Sequence, residues 1–289
     1  MRRDLPEECI IVTGSSGLLG HGVIRALAPH YAMIGFDRDG EPYPPPEAEC
    51  ISCDISDCAS IERALRRVDY AYGRRIASVI HLAAYYTFSE PSSPLYEKVT
   101  VNGTRDLLDA LRPFEVEQFV FSSTMLVHAP TQPGHPITED SPLEGKWDYP
   151  KSKIITEQII RENRRNMKVV NLRIAGVYSD KGDSIPITNQ IQRIYEKQFT
   201  SHFFSGDTTH GASFVHIEDV VDAIARCVDR RAELAEVLDL LIGEPETVSY
   251  GQLQEALGTL IHGVEWNTLR VPKPLAKVGA WVQDKAPLG

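Results

Sequence analysis

Long apolar runs are missing from this chain. Nowhere in its 289 residues is there a stretch near the roughly 18 consecutive apolar positions of a membrane span, and Met1 to Glu8 lacks the apolar segment of a signal peptide. The expectation is a protein of the cytoplasm with no membrane partner. Runs of positive charge are missing too: no Lys/Arg run exceeds two residues, and 30 basic against 40 acidic residues leave a net charge of -10. An electrostatic footprint for nucleic acid is therefore absent, and any anion must be held by a local, shaped site. Cysteine is scarce. Five residues, an odd number, give no disulfide framework and fit a reducing compartment. Cys50-Ile51-Ser52-Cys53 is a CxxC, but on a strand positions three apart face opposite sides and no second pair lies nearby, so no metal site is expected. What remains, 42% hydrophobic and 24% charged residues, is a globular composition that can bury one large or two unequal domains.

Short apolar runs alternate with helical-period segments over the first two thirds, the pattern of a parallel sheet covered on both faces. The runs are Cys9 to Val12, Ala32 to Phe36, Ser78 to Leu82, Phe119 to Phe121 and Val169 to Leu172, with a further short one ending at Cys53-Asp54-Ile55. Between them, Leu19, Val23 and Leu27 recur every four residues; Ile61, Ala64, Leu65 and Val68, and Leu107, Leu108 and Leu111, each define one helix face. Glu41 to Pro46 reads as an extended surface connection. After about Ile174 the rhythm becomes irregular, with a helix near Pro186 to Lys197, an aromatic strand at Phe203-Phe204 and a helix from Glu218.

Thr13-Gly14-Ser15-Ser16-Gly17-Leu18-Leu19-Gly20 follows a predicted strand and opens a predicted helix. Glycines there permit a tight turn and let backbone N–H groups approach a pyrophosphate at the positive end of the helix dipole. Asp37 ends the second run, where a carboxylate accepts from both ribose hydroxyls and repels a 2′-phosphate, which favours NAD over NADP. Arg38 stacks on adenine or pairs with a phosphate. Asp54, beside Ile55, either accepts from the adenine amino group or forms a turn.

Tyr149-Pro150-Lys151-Ser152-Lys153 sets a phenol and an ammonium at i and i+4 on one helix face. A close ammonium and an oxidised nicotinamide both favour phenolate, so Tyr149 is expected to move below its ordinary value and to exchange the substrate hydroxyl proton during hydride transfer. Ser122-Ser123-Thr124 ends another run, and active groups of open α/β sheets gather beyond the carboxyl ends of the strands.

With these motifs the chain resembles the extended short-chain dehydrogenase/reductase family, in its NAD-dependent epimerase/dehydratase branch. The marks are the TGxxGxxG loop, His81-Leu82-Ala83-Ala84, Gly103-Thr104, Ser122-Ser123-Thr124, Tyr149 to Lys153, Leu172-Arg173 with Val177-Tyr178, and Phe214-Val215-His216 with Asp219. The resemblance implies a Rossmann-type doubly wound parallel sheet with a small irregular C-terminal substrate lobe. An NAD-binding domain would cover residues 1–174 with segments returning from about 206–242, and 175–289 would be mainly substrate lobe. It implies Tyr149 as acid/base, Lys153 as its tuner and holder of the nicotinamide ribose, and Thr124 as positioner of the substrate oxygen. The cofactor contacts would be Gly14, Ser16, Gly17, Leu18, Leu19, Gly20, Asp37, Arg38, Asp54, Ile55, Leu82, Ala83, Ala84, Ser122, Tyr149 and Lys153. Relatives also imply a homodimer through helices near Pro94 to Leu111 and Tyr149 to Arg165.

The chain departs from the family pattern at four places. Thr100 replaces the usual Asn before Gly103-Thr104, and Val127-His128-Ala129 replaces Val-Tyr-Gly. Met125-Leu126 stand where sugar-nucleotide 4,6-dehydratases carry two acids, which disfavours water elimination. Ala212-Ser213 stand where many nucleotide-sugar enzymes carry Arg-Asp, which hints at a smaller or less charged substrate. Tyr85, Tyr86, Phe88, His128 and Trp147 are candidates for an aromatic pocket wall or for core packing. The expected activity is NAD-dependent hydride transfer at a secondary alcohol or ketone of a sugar-like or small hydroxylated compound, with a non-catalytic NAD sensor as the alternative.

Overall fold

The computed structural model describes residues 8–38, 44–87, 92–132 and 134–271, and divides the chain into two units. Unit 1 comprises 1–175 and 217–242. Its strands are β1 (Cys9–Thr13), β2 (Ala32–Asp37), β3 (Glu49–Ser52), β4 (Arg75–His81), β5 (Glu115–Thr124) and β6 (Lys168–Ile174), with a final strand Val237–Ile242. They form one seven-stranded sheet in the order Val237–Ile242, β6, β5, β4, β1, β2, β3, and every pairing is parallel. The Rossmann-type doubly wound sheet is therefore present. Strand β1 is buried throughout, as a parallel strand covered on both faces must be. From β1 the chain winds outward through β2 and β3, then crosses back to β4 and winds the other way. The carboxyl ends of β1 and β4 thus flank the switch point where such sheets open a crevice.

The connecting helices are α1 (Leu18–Leu27), α2 (Cys58–Tyr72), α3 (Gly103–Ala110) and α4 (Asp148–Asn163), with Ile217–Asp229 returning late in the chain. α2 buries the face its periodicity marked, Ile61, Ala64, Leu65 and Val68; α1 buries Val23 and Leu27 together with Ile24, while Leu19 stays partly exposed, at about 1.5–3 kcal/mol per large apolar side chain. Asp57 caps α2 by accepting from the Ala59 N–H. A π-helical turn, Tyr96–Asn102, precedes α3 where the sequence suggested one continuous helix from Pro94.

Three expectations are corrected here. The second edge strand ends at Ser52, so Cys53-Asp54-Ile55 is not a strand end but the start of a turn into α2. Val237–Ile242, which carries Asp239 in its middle, has no counterpart in the sequence reading, because its partner is 68 residues upstream. The return to unit 1 begins at Ile217 rather than about 206, since Gly211–Ala212 pair with Val248–Ser249 and Phe214–His216 with Gly176–Tyr178 inside unit 2.

Among its described residues unit 2 holds two α-helices, Ile185–Tyr195 and Tyr250–His262, the second opened by a reciprocal Ser249/Gln252 capping box. Trp266 stacks on His202 at 4.6 Å and on His262 at 5.1 Å. Among the described residues no group of His, Cys, Asp or Glu could hold a metal, and no helix is long and apolar enough to cross a membrane. All five cysteines are free thiols. Phe88, and Glu41 to Tyr43 of the proline-rich connection, lie outside the described residues.

Candidate active site

The glycine loop is fixed from below. Gly14 adopts φ +70°, in the left-handed region that favours glycine, and a Cβ there would stand 3.0 Å from the Ala83 N. Ala83 donates its N–H to the Thr13 hydroxyl and Leu82 to the Thr13 carbonyl, which locks the ends of β1 and β4 together. The first bond of α1 runs from His21 N–H to Gly17 C=O, so the N–H groups of Leu18, Leu19 and Gly20 have no helical partner. Gly17 and Leu18 are exposed, Gly17 supplies no side-chain cap, and the first turn carries no acid. Free donors, a positive dipole end and no competing carboxylate suit a diphosphate. Asp37 accepts from Ser16 N–H at 2.8 Å and Arg38 N–H at 2.9 Å, so it braces the loop against the end of β2. Ser16 therefore spends its amide on Asp37, and its hydroxyl is what remains for a ligand. Arg38 is exposed beside it.

Asp54 accepts from both the N–H and the hydroxyl of Ser56 at 2.8 Å, the turn-forming role, and these bonds hold its carboxyl below its ordinary value. Ile55 belongs to the apolar core, its carbonyl packed under Gly103. Leu82, Ala83 and Ala84 are partly buried along the carboxyl end of β4.

The chemistry-bearing groups meet where β5 faces α4. Thr124 lies near enough to lower the Tyr149 phenol, the Lys153 Nζ stands 5.9 Å from the Tyr149 ring centroid and donates to the Ser122 carbonyl at 2.6 Å, and the Ser122 hydroxyl donates to the His81 carbonyl at 3.2 Å. Thr124, Tyr149 and Lys153 are thus brought together. Their electrostatics differ from the expectation. Burial pushes the Tyr149 phenol above its ordinary value, nearby Tyr86 adds to this, and only the Thr124 bond lowers it. Lys153, 2% exposed, is pushed down to about 7 by burial, with Glu157 pulling the other way. The reason is geometric: the ammonium points at a carbonyl of β5 and lies 4.7 Å from the Phe121 ring centroid, so desolvation outweighs the pairing that i, i+4 spacing suggests.

Around Tyr149 the rings of Tyr86, at 4.8 Å, and Tyr96, at 6.2 Å, form an aromatic wall, with Tyr85 edge-on to Tyr96. Trp147 is exposed at the start of α4. His128 is no part of that wall: it is 4% exposed, its Nδ1 contacts the Ser141 carbonyl at 3.0 Å and its Nε2 lies 3.3 Å from Arg173. Thr100, which stands where the family usually has Asn, accepts from the Tyr85 N–H, and its carbonyl receives the Thr104 hydroxyl at 2.6 Å.

Two participants, His81 and Glu157, were given no role by the sequence. His81, fully buried, bridges the Thr13 hydroxyl at 2.7 Å and the Thr104 hydroxyl at 2.9 Å, and burial drives it down to about 3. Glu157 accepts from the Ser123 hydroxyl at 2.5 Å and pairs with Arg173 at 2.9 Å. Only the spacing of Glu157, four residues beyond Lys153, could have signalled it.

Comparison with known proteins agrees with this geometry. The profile of the NAD dependent epimerase/dehydratase family matches residues 10–243. The UDP-glucose 4-epimerase of Schizosaccharomyces pombe is 27% identical over 270 residues, covering 77% of this chain and 71% of that protein. Human 3 beta-hydroxysteroid dehydrogenase type 7 is 28% identical over 193 residues, covering 59% and 50%. In fold, the UDP-glucose 4-epimerase of Thermus thermophilus, solved with NAD, superposes with a TM-score of 0.72 at 22% identity, over 93% of this chain and 92% of that one. Loop, strand-end hydroxyls and Tyr/Lys pair fall inside the matched span, and the chain belongs to the NAD-dependent epimerase/dehydratase family of extended short-chain dehydrogenases/reductases.

Proposed function

We propose that this enzyme catalyses NAD-dependent hydride transfer at a secondary alcohol of a sugar-like substrate, oxidising it to the ketone and, as an epimerase, reducing the ketone again on the opposite face. The observation that carries the reading is that Tyr149 and Lys153 of α4 meet the Ser122 to Thr124 end of β5, Lys153 bonded to the Ser122 carbonyl and 5.9 Å from the Tyr149 ring centroid. The free amides of α1 would hold the diphosphate, and Asp37 beside the loop supports NAD over NADP. Bound NAD supplies the hydride acceptor.

The protein's own part is proton handling. Thr124 orients the reacting oxygen, and Tyr149 takes the hydroxyl proton as the C–H bond breaks, then returns it when the carbonyl is reduced. A phenol raised by burial is held protonated and ready to donate; Thr124 lowers it, and a charged Lys153, its Nζ 5.9 Å from the Tyr149 ring centroid, would favour ionisation for the oxidative half. Tyr86 and Tyr96 keep water from that proton and offer an apolar face to a ring substrate. Met125-Leu126 supply no acid or base for dehydration. The non-catalytic sensor reading is not favoured, because no catalytic group is missing.

The exposed Ile155 on α4 and Leu95 before the π-helical turn support a homodimer through that face, and five free thiols support a reducing cytoplasm. The function is tested by following UDP-glucose/UDP-galactose interconversion and NADH formation, with a 3β-hydroxysteroid as the apolar comparison. Tyr149→Phe is expected to bind NAD normally and to lose about 10²–10⁴-fold in turnover; turnover at the unsubstituted rate would refute the mechanism.

A further inference from the structure

We propose that Glu157 is a positioning residue of this site: its buried carboxylate, anchored by Ser123 and Arg173, holds Lys153 as an ammonium turned toward the Ser122 carbonyl and Tyr149. The inference rests on the Tyr149/Lys153 reading above. Its basis is a register between one strand and one helix. Two adjacent residues of β5 each hold a residue of α4: the Ser122 carbonyl takes the Lys153 Nζ and the Ser123 hydroxyl donates to Glu157, with that Nζ 5.9 Å from the Tyr149 ring centroid. Positions 149, 153 and 157 lie four residues apart on one face.

Glu157 is 2% exposed, so a carboxylate there needs compensating charge and hydrogen bonds. Arg173 on β6 supplies a fork, Nη2 to Oε2 at 2.9 Å and Nε to Oε1 at 3.3 Å, and the Ser123 hydroxyl adds a third donor. Arg173 is itself shared with Asp239 at 3.0 Å, and Asp239 also takes Arg161 and the Asn171 amide. Because Arg173 divides its charge between two carboxylates, Glu157 keeps attraction for a second cation, and that cation is Lys153.

The groups facing Lys153 from its neighbours are few. His81 on β4 is held neutral by burial, the Phe121 ring and Ser122 carbonyl come from β5, Tyr149 is protonated, and Arg173 on β6 is repulsive. Among these, Glu157 alone opposes the desolvation that would strip the proton from a buried lysine. Without it, the side chain that should stabilise the Tyr149 phenolate would be a neutral amine.

The test is a direct titration of Lys153 in the full chain, using carbon-13-lysine NMR with the resonance assigned by its loss in Lys153→Met. The unsubstituted protein is expected to titrate near 7. Glu157→Gln should lower the midpoint by about one pH unit or more, and Arg173→Gln should raise it, since one removes attraction and the other repulsion. A merely structural role would not produce shifts of opposite sign. Each single change breaks a buried ion pair, whereas the Glu157→Gln/Arg173→Gln double variant removes both charges together and is the milder perturbation. Its midpoint should also lie below the unsubstituted one, because Glu157 is one helical turn from Lys153. A midpoint unmoved in Glu157→Gln, or in the double variant if the single fails to fold, overturns the proposal. If Tyr149→Phe abolishes turnover while that midpoint stays put, only the Glu157 role fails; if Tyr149→Phe keeps turnover, the catalytic reading fails whatever Lys153 does.

Discussion

Gly20→Ala isolates the dinucleotide loop from the rest of the site. A Cβ on Gly20 would stand 2.4 Å from the Gly14 carbonyl oxygen and 2.7 Å from that of Ser15. Ordinary C···O contacts are about 3.3 Å, so the loop must retreat by about 0.9 Å. Both obstacles are backbone, and Gly14 is itself pinned against Ala83, so no side chain can rotate away. Overpacking of this kind costs about 1–3 kcal/mol, and alanine returns about 1 kcal/mol of helix propensity. The net loss is about 0–2 kcal/mol, a fall in Tm of at most about 6 °C for a chain of this size. The same retreat pulls the amides of Leu18 and Leu19 off a diphosphate, weakening NAD about tenfold or more. Calorimetric NAD titration and thermal unfolding measure both. Gly73→Ala is the control: at φ +82° and ψ −162°, a region that glycine alone adopts readily, and with nothing within 4 Å of the added atom, it should lose about 1–3 kcal/mol of stability and leave NAD affinity intact. Gly20→Ala that keeps its Tm and binds NAD like the unsubstituted chain would refute the loop argument.

His81 predicts an acid weakness. Its folded value near 3 lies below the ordinary 6.5, so the native state binds fewer protons than the unfolded chain between those values, and stability falls as pH drops through that window. The ceiling is about 5 kcal/mol, and His81→Gln should flatten the fall of Tm between pH 6.5 and 4; an unchanged slope would show that the imidazole is not the cause. The homodimer reading predicts twice the 32.2 kDa chain mass by light scattering at micromolar concentration, and Ile155→Arg should give the single mass; a monomer before substitution rejects it.

The sequence by itself determined the features that depend on near neighbours. A buried run, a glycine turn and a helix face place β1, the loop and α1 within some twenty residues, and the i, i+4 spacing puts Tyr149 and Lys153 on one face of α4. Strand and helix periods are local, so they are written locally. The tertiary structure decided what each group faces. Lys153 meets a β5 carbonyl, Asp54 turns onto Ser56, His81 spans hydroxyls 68 and 23 residues away, and Glu157 finds Arg173 only because β6 lies beside β5. That is also why Tyr149 and Lys153 titrate opposite to their pairing on a bare helix: Coulomb attraction follows spacing along the chain, but desolvation depends on everything packed around the group, and here burial is the larger effect.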